Sequence, residues 1–247
     1  MWRMSERHDG RKPDELRPVR IEPGFVKTAS GSALIEMGGT RVICTASVDE
    51  EVPRWMRGQG RGWVTAEYGM LPASTGERKR RDVSKGRPDG RTVEIQRLIG
   101  RAVRGVVDFE GLGERTVWLD CDVLEADGGT RTAAITAAFL AVADALRVRL
   151  GDAARGVLRD SVAAVSAGIV AGEAVLDLDY PEDSKAEVDL NVVRLGGGGL
   201  VEVQGTGEAG TFSRAQLQAL LDLAEAGLDR LGELQRECLG ADWPLSD

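Results

Sequence analysis

The chain has 247 residues, 42% hydrophobic and 29% charged, with a net charge of −8. These are the proportions of a soluble globular protein, long enough for one large domain or two small ones that share a core. Its three cysteines, Cys44, Cys121 and Cys238, form no close pair in sequence, which excludes a disulfide framework and a Cys-x-x-Cys zinc site.

The start, Met1 to Lys12, is polar and basic, unlike a signal peptide. No apolar run approaches the ~18 residues of a membrane span, so a cytoplasmic protein is expected. Regular structure begins near Val19. Ser32 to Met37 reads as a strand, Gly38-Gly39 as a hairpin turn and Thr40 to Val48 as the returning strand. In that second strand Val42, Cys44 and Ala46 share one face and Ile43, Thr45 and Ser47 the other. Cys44 and Cys121 lie in apolar runs and read as buried thiols. Glu50 to Gly62 is a loop rich in arginine and glycine, and Trp63 to Met70 is a further strand.

Pro72 to Asp89 has almost no apolar residue and exceeds the usual loop length, so it reads as a mobile basic loop with a function of its own. Arg91 to Val107 is amphipathic. Ile95, Leu98, Ile99, Ala102, Val103 and Val106 recur at three and four, with Arg97, Arg101 and Arg104 on the other face. Arg115 to Leu124 alternates as a strand, and Thr130 to Leu150 is an alanine- and leucine-rich buried helix. Strands follow at Ser161 to Val170, Ala174 to Asp179, Glu187 to Arg194 and Leu200 to Gln204. Ser213 caps a long amphipathic helix that runs to Leu239. Hairpins followed by helices thus occur twice, roughly over 15–150 and 155–240, which predicts an α+β fold of two similar halves. Trp2, Trp55, Trp63 and Trp118 suit a core or an interface equally well.

Charge is unevenly distributed. Arg54, Arg57 and Arg61 come first. Arg78, Lys79, Arg80, Arg81, Lys85, Arg87 and Arg91 then crowd one stretch against only Asp82 and Asp89. Acidic residues gather later, at Asp177 to Asp189 and Asp222 to Glu237. A basic belt on an acidic body is the footprint of a polyanion partner. The plain alternative, a solvated mobile loop, is compatible with it, because such a loop can order on RNA. The single histidine, His8, falls in a segment expected to be flexible. That excludes Ser-His-Asp and Cys-His catalysis and histidine zinc sites, leaving carboxylates, arginines or a metal to do any chemistry.

Glu125 to Thr132 (Glu-Ala-Asp-Gly-Gly-Thr-Arg-Thr) joins a strand to a helix. Its glycines let backbone approach a ligand, and the first amides of the helix attract an anion. Thr130 adds a hydroxyl and Arg131 a guanidinium. The stretch lacks the Gly-Lys-Ser/Thr ending of a Walker loop, and an ordinary tight loop explains the glycines equally well. Downstream, Tyr180 to Asp189 carries Glu182, Asp183, Glu187 and Asp189. Asp183 and Asp189 are placed to converge at a strand mouth, where two carboxylates beside a phosphate hold Mg²⁺ or act as a general acid. A solvated acidic turn is the plain alternative.

These stretches occur in the order of one family. Leu16-Arg17-Pro18-Val19, Gly62 to Pro72, Gly90 to Arg101, Asp120 to Thr132, Ala163 to Ser166, Leu176 to Tyr180 and Glu202 to Thr206 together make the chain resemble bacterial ribonuclease PH from Asp9 to about Glu237. The resemblance implies the ribonuclease PH fold, two βαβα-like halves (ribosomal protein S5 domain 2-like) sharing a core, assembled as a homohexamer, a trimer of dimers. It implies phosphorolytic removal of nucleotides from RNA 3′ ends, chiefly tRNA precursors. Inorganic phosphate is the nucleophile, nucleoside 5′-diphosphates are released, and Mg²⁺ is required. Arg91, Gly129, Thr130 and Arg131 match the family's phosphate-binding positions, with Arg91 also catalytic. Asp183 and Asp189 match its acidic pair for metal and acid catalysis, either residue in either role. Arg54, Arg57, Arg61, Arg78, Lys79, Arg80, Arg81 and Arg87 match regions that grip RNA. Departures such as Gly39-Thr40-Arg41, Gly168 and Gly207-Glu208 remove none of these residues. The alternative is an inactive RNA-binding subunit of an exosome-like ring, but such subunits tend to lose the arginines or carboxylates retained here.

Overall fold

The computed structural model describes residues 7–81, 84 and 86–240. Trp2, Asp82 and Lys85 lie outside the described residues, as does the beginning of the polar N-terminal stretch. The first sheet has the order β1-β2-β3-β5-β4, with β1 Val19–Pro23, β2 Gly31–Met37, β3 Thr40–Asp49, β4 Trp63–Met70 and β5 Thr116–Glu125. Its pairs are antiparallel except β4 with β5, which are parallel and joined through α1 (Gly90–Arg104) and the short α2 (Phe109–Leu112). The second sheet is antiparallel, β7-β6-β8-β9, with β6 Val162–Val170, β7 Glu173–Leu176, β8 Val188–Leu195 and β9 Leu200–Gly207.

Between the sheets runs α3, Thr130–Leu150. Fifteen of its 21 residues are buried, so it has no polar face, and it packs on β2 and β3 on one side and β6 on the other. Small side chains allow this close approach. At Gly31 even a Cβ would run into the Ala141 carbonyl of α3. One continuous apolar cluster therefore spans both sheets. The long α5, Arg214–Leu239, closes the second sheet with Leu220, Ala224, Leu228 and Leu231 inward, and Ser213 caps it in a capping box with Gln216. Cys44 and Cys121 are buried and sit opposite each other across β3 and β5.

The expected strand from Ala174 to Asp179 stops at Leu176. Asp177 takes a left-handed φ of +52° and turns the chain into α4 (Tyr180–Asp183), a helical turn where the acidic cluster had read only as a strand start. On α1 the buried stripe is as expected, but only Arg97 of the three arginines is fully exposed. Arg104 donates to the Val64 carbonyl at 3.0 Å, and Arg101 pairs with Glu202 of β9 at 2.6 Å. His8 is not in a loose segment either. Its Nε2 lies 2.7 Å from Asp179 Oδ2, while Arg7 and Arg11 grip the 176–182 turn. No helix among the described residues is long and apolar enough to cross a membrane.

Candidate active site

The site is built where β5 hands over to α3. Gly128 and Gly129 both take left-handed φ, +72° and +62°. A Cβ on Gly128 would stand 2.5 Å from the Leu178 carbonyl oxygen, so only glycine fits against the second half there. Gly129 precedes α3 and has no side chain to cap it, which leaves the first amides of the helix facing the space in front. The turn is fastened from behind. Thr40 Oγ1 donates to the Gly128 carbonyl at 2.6 Å and accepts from the Asp127 amide at 2.9 Å, and Arg17 donates to the Asp127 carbonyl. Thr132 Oγ1 adds a bond to the Gly129 carbonyl at 2.9 Å.

Two arginines converge on that helix start. Arg131 belongs to the first turn of α3, and its guanidinium is aimed by Gln204 at 2.9 Å and Glu94 at 3.3 Å. Arg91 stands at the beginning of α1, where Asp89 accepts a hydrogen bond from the Thr92 amide at 2.7 Å. That bond, assisted by nearby Lys79, lowers the Asp89 carboxyl to about 2, so it is ionised and caps α1 at neutral pH.

The carboxylates come from the second half. Asp183 ends α4, which is held by a capping box between Asp179 and Glu182. Asp189 lies on β8 between Gly168 of β6 and Thr206 of β9. Burial pushes the Asp189 carboxyl up, and the charge of Asp183 pushes it further, while Arg131 and the Asn191 amide pull the other way. Arg91, Gly129, Thr130, Arg131, Asp183 and Asp189 all line one cavity of about 700 Å³. Two arginines, the start of α3 and the carboxyls of Asp183 and Asp189 thus share one cavity, with Glu94 against Arg131.

The other acidic residues of the cluster do different work. Glu182 is buried and bonded to Arg7 and Arg11. His8, Asp179 and Glu182 bring ligand atoms within 4.8 Å of one another, but the two arginines already neutralise that group, so it is a structural ion-pair network. Glu187 accepts from the Gly172 amide in a surface turn.

The basic residues divide into two sets. Lys79, Arg80, Arg81 and Arg87 line a second depression of about 460 Å³, which reaches the start of α1 at Thr92, the residue after Arg91 of the first cavity. Arg78 is exposed on the same loop. Arg54, Arg57 and Arg61 precede Trp63, at the opposite end of β4, an eight-residue strand and so roughly 20 Å or more away. The single belt expected from sequence is two patches separated by the length of a strand. Sequence reasoning missed Tyr68, Thr40, Gln204, Asn191 and the Arg17–Asp177 pair. Tyr68, Gln204, Arg17 and Asp177 fall within the stretches that carried the resemblance, but nothing local assigned them a partner.

Residues 15–147 match the model of the 3′ exoribonuclease family, domain 1, and residues 160–227 that of domain 2. The chain belongs to the 3′ exoribonuclease family. The first match ends within α3 and the second begins just before β6, and the cavity draws Arg91, Arg131 and Glu94 from the first and Asp183 and Asp189 from the second. Among solved structures, the Archaeoglobus fulgidus exosome with RNA bound to the active site is 26% identical, with a TM-score of 0.78 over 93% of this chain and 92% of that one. An archaeal exosome core is 25% identical, with a TM-score of 0.73 over 94% and 91%. Rice (Oryza sativa) Rrp46 is 18% identical, with a TM-score of 0.77 over 94% and 100%, a likeness of fold.

Proposed function

We propose that the chain is a phosphorolytic 3′-5′ exoribonuclease of the ribonuclease PH kind, which trims 3′ ends of tRNA precursors and other RNA. The carrying observation is that a bare helix N-terminus, Arg91, Arg131, Asp183 and Asp189 all line one cavity. Phosphate is a poor nucleophile toward an anionic diester because the two anions repel. The α3 amides, Thr130 and the two arginines neutralise it and hold one oxygen in line with the last phosphodiester. That oxygen bonds to phosphorus as the bond to the 3′-oxygen breaks. The departing oxygen takes a proton, and the terminal nucleotide leaves as a nucleoside 5′-diphosphate. The reverse reaction extends RNA. One carboxyl of the Asp183–Asp189 pair supplies that proton.

Asp183 and Asp189 also suit a divalent cation. They are oxygen donors of like charge, and the repulsion that raises Asp189 is what a cation between them would relieve. A Mg²⁺ ion held by Asp183 and Asp189 would supply charge neutralisation at the scissile phosphate. Membership of the family and the likeness to exosome ring proteins support RNA as substrate and a ring assembly. The proposed form here is a homohexamer acting in the cytoplasm.

Incubation with a 3′-extended tRNA and Mg²⁺, with and without phosphate, tests the reading. Nucleoside diphosphates that appear only with phosphate are expected. Monophosphates, or equal cutting without phosphate, would overturn it in favour of a hydrolytic nuclease. RNA binding without cleavage would favour the inactive ring subunit.

A further inference from the structure

The Arg54–Met56 turn puts an aromatic ring into solvent. Met56 is buried and anchors the turn, Gln59 ties it down by donating to the Trp55 carbonyl at 2.7 Å, and Trp55 itself is 62% exposed. The ring is not loose. It stands edge-on to Trp63, with centroids 5.1 Å apart, and Trp63 stacks on Phe109 at 5.9 Å. The Arg104 guanidinium lies 4.9 Å from the Trp63 ring and that of Arg61 lies 5.8 Å from Phe109. The exposed ring therefore rests on a braced aromatic column.

Arg54 and Arg57 flank it in sequence, Arg61 lies over Phe109 of the same column, and all three are exposed. Neighbouring carboxylates are engaged: Glu51 with Arg57 at 2.8 Å, Glu50 with Arg115 at 2.8 Å, and Glu114 with the Gly60 amide at 3.0 Å. A fixed flat apolar face amid cations fits a ligand that is flat, apolar on its faces and anionic along its backbone. Single-stranded nucleic acid has those properties, because every base offers a π-face and every linkage a charge. An apolar protein partner would leave the arginines desolvated without counterions.

We propose that Trp55 is a stacking platform for one unpaired base of the RNA substrate, 5′ of the end held in the cleft and separated from it by about the length of β4. The inference rests on the reading of the chain as an RNA-degrading enzyme. Trp55 would grip the strand while Arg54 and Arg61 hold the adjoining phosphates. Short RNAs that end before the platform would be held by the cleft alone.

The test uses the full chain and 5′-labelled oligoribonucleotides of graded length. Wild type is expected to bind more tightly once the strand is long enough to reach Trp55. Trp55→Ala should remove that gain, a loss of roughly 5- to 150-fold for long strands, while Trp55→Tyr keeps most of it. Phosphate-dependent release from the shortest substrates should be unchanged in both variants. An abasic site scanned along a long strand should weaken wild-type binding at one position upstream of the 3′ end, and Trp55→Ala should abolish that position's penalty. Equal length dependence in wild type and Trp55→Ala, or an abasic penalty that survives the substitution, would overturn the platform. If wild type releases no diphosphates yet the abasic penalty still depends on Trp55, the phosphorolytic reading fails and the platform stands.

Discussion

The Tyr68 hydroxyl donates a hydrogen bond to Thr130 Oγ1 at 2.9 Å, tying β4 to the first residue of α3. Tyr68 is buried, and burial raises its phenol above its ordinary range despite the opposing pull of Thr130, Arg91 and Arg131, so it remains a donor. Because Thr130 Oγ1 accepts from Tyr68, its own proton is left to donate toward an anion in the cradle. Tyr68→Phe should therefore raise the KM for phosphate about 2- to 10-fold, the worth of one hydrogen bond, and leave RNA affinity alone. A phosphate titration at saturating RNA reads this directly. An unchanged KM would remove Tyr68 from the cradle.

Arg131 makes the stronger claim on the attacking anion. Its guanidinium is positioned by Gln204 and Glu94, yet it still lines the cavity that Asp183 and Asp189 share. Arg131→Ala is expected to lower phosphate-dependent turnover by about 10²- to 10³-fold, as for loss of one preorganised charge-stabilising donor, while RNA binding survives. Turnover at varied phosphate, beside an RNA binding curve, separates the two. Loss of RNA binding with unchanged phosphate affinity would contradict the assignment.

What could be read from the chain was what local pattern encodes. Continuous apolar composition marked α3 as buried on all sides, and the glycine pair between a period-two and a helical segment marked the turn before it. Asp183 and Asp189 were legible as candidates from the local acidic pattern, whereas their meeting with Arg131 and Arg91 in one pocket was to be expected only through the family resemblance, because it depends on β8 pairing between β6 and β9. Tyr68 was invisible for a related reason. Strand alternation shows that it points inward, but its partner is 62 residues away. The end of β7 was misplaced because Leu178 continues an apolar alternation. Asp177 breaks that alternation with a backbone conformation stabilised by Arg17, 160 residues distant. The strand between the arginines at 54, 57 and 61 and the basic loop was itself legible as Trp63 to Met70, but a run of charges does not show that the length of that strand separates them into two patches.

Asp189 predicts a pH dependence. Its carboxyl is raised above the ordinary 3.8 by burial and then by Asp183. A group raised in the folded state favours folding below its unfolded pKa, and that contribution fades as pH rises through the folded value. Metal-free protein should therefore lose a little stability as pH climbs above about 4, and Asp189→Asn should flatten that part of the curve. A retained proton also competes with a cation. Mg²⁺ should bind more weakly as pH falls, with release of a proton on binding that Asp189→Asn abolishes. Calorimetry in buffers of different ionisation enthalpy measures that proton. Binding that is independent of pH and releases none would detach the metal from this carboxylate.

Behind the cradle, Arg17 and Asp177 form a buried pair that joins the two halves. The Arg17 amide donates to Asp177 Oδ2 at 2.8 Å, its Nε to the same oxygen at 3.0 Å and its Nη2 to Oδ1 at 2.7 Å, and the side chains are 3% and 0% exposed. Burial alone would lower the guanidinium, but bonding to Asp177 leaves it above its ordinary range, so Arg17 stays charged. Removing one partner strands a buried charge. Arg17→Met should cost about 3–5 kcal/mol in denaturant unfolding, and Arg17→Met combined with Asp177→Asn should recover part of that, because the stranded charge is then gone. Asparagine tolerates the left-handed backbone at 177, so the double variant separates charge from conformational strain. Arg17 also donates to the Asp127 carbonyl just ahead of Gly128, so the folded fraction of Arg17→Met should show a raised KM for phosphate. A loss below about 1 kcal/mol, the range of a surface pair, would mean that water reaches Asp177 and that the two halves are held together by their shared apolar core alone.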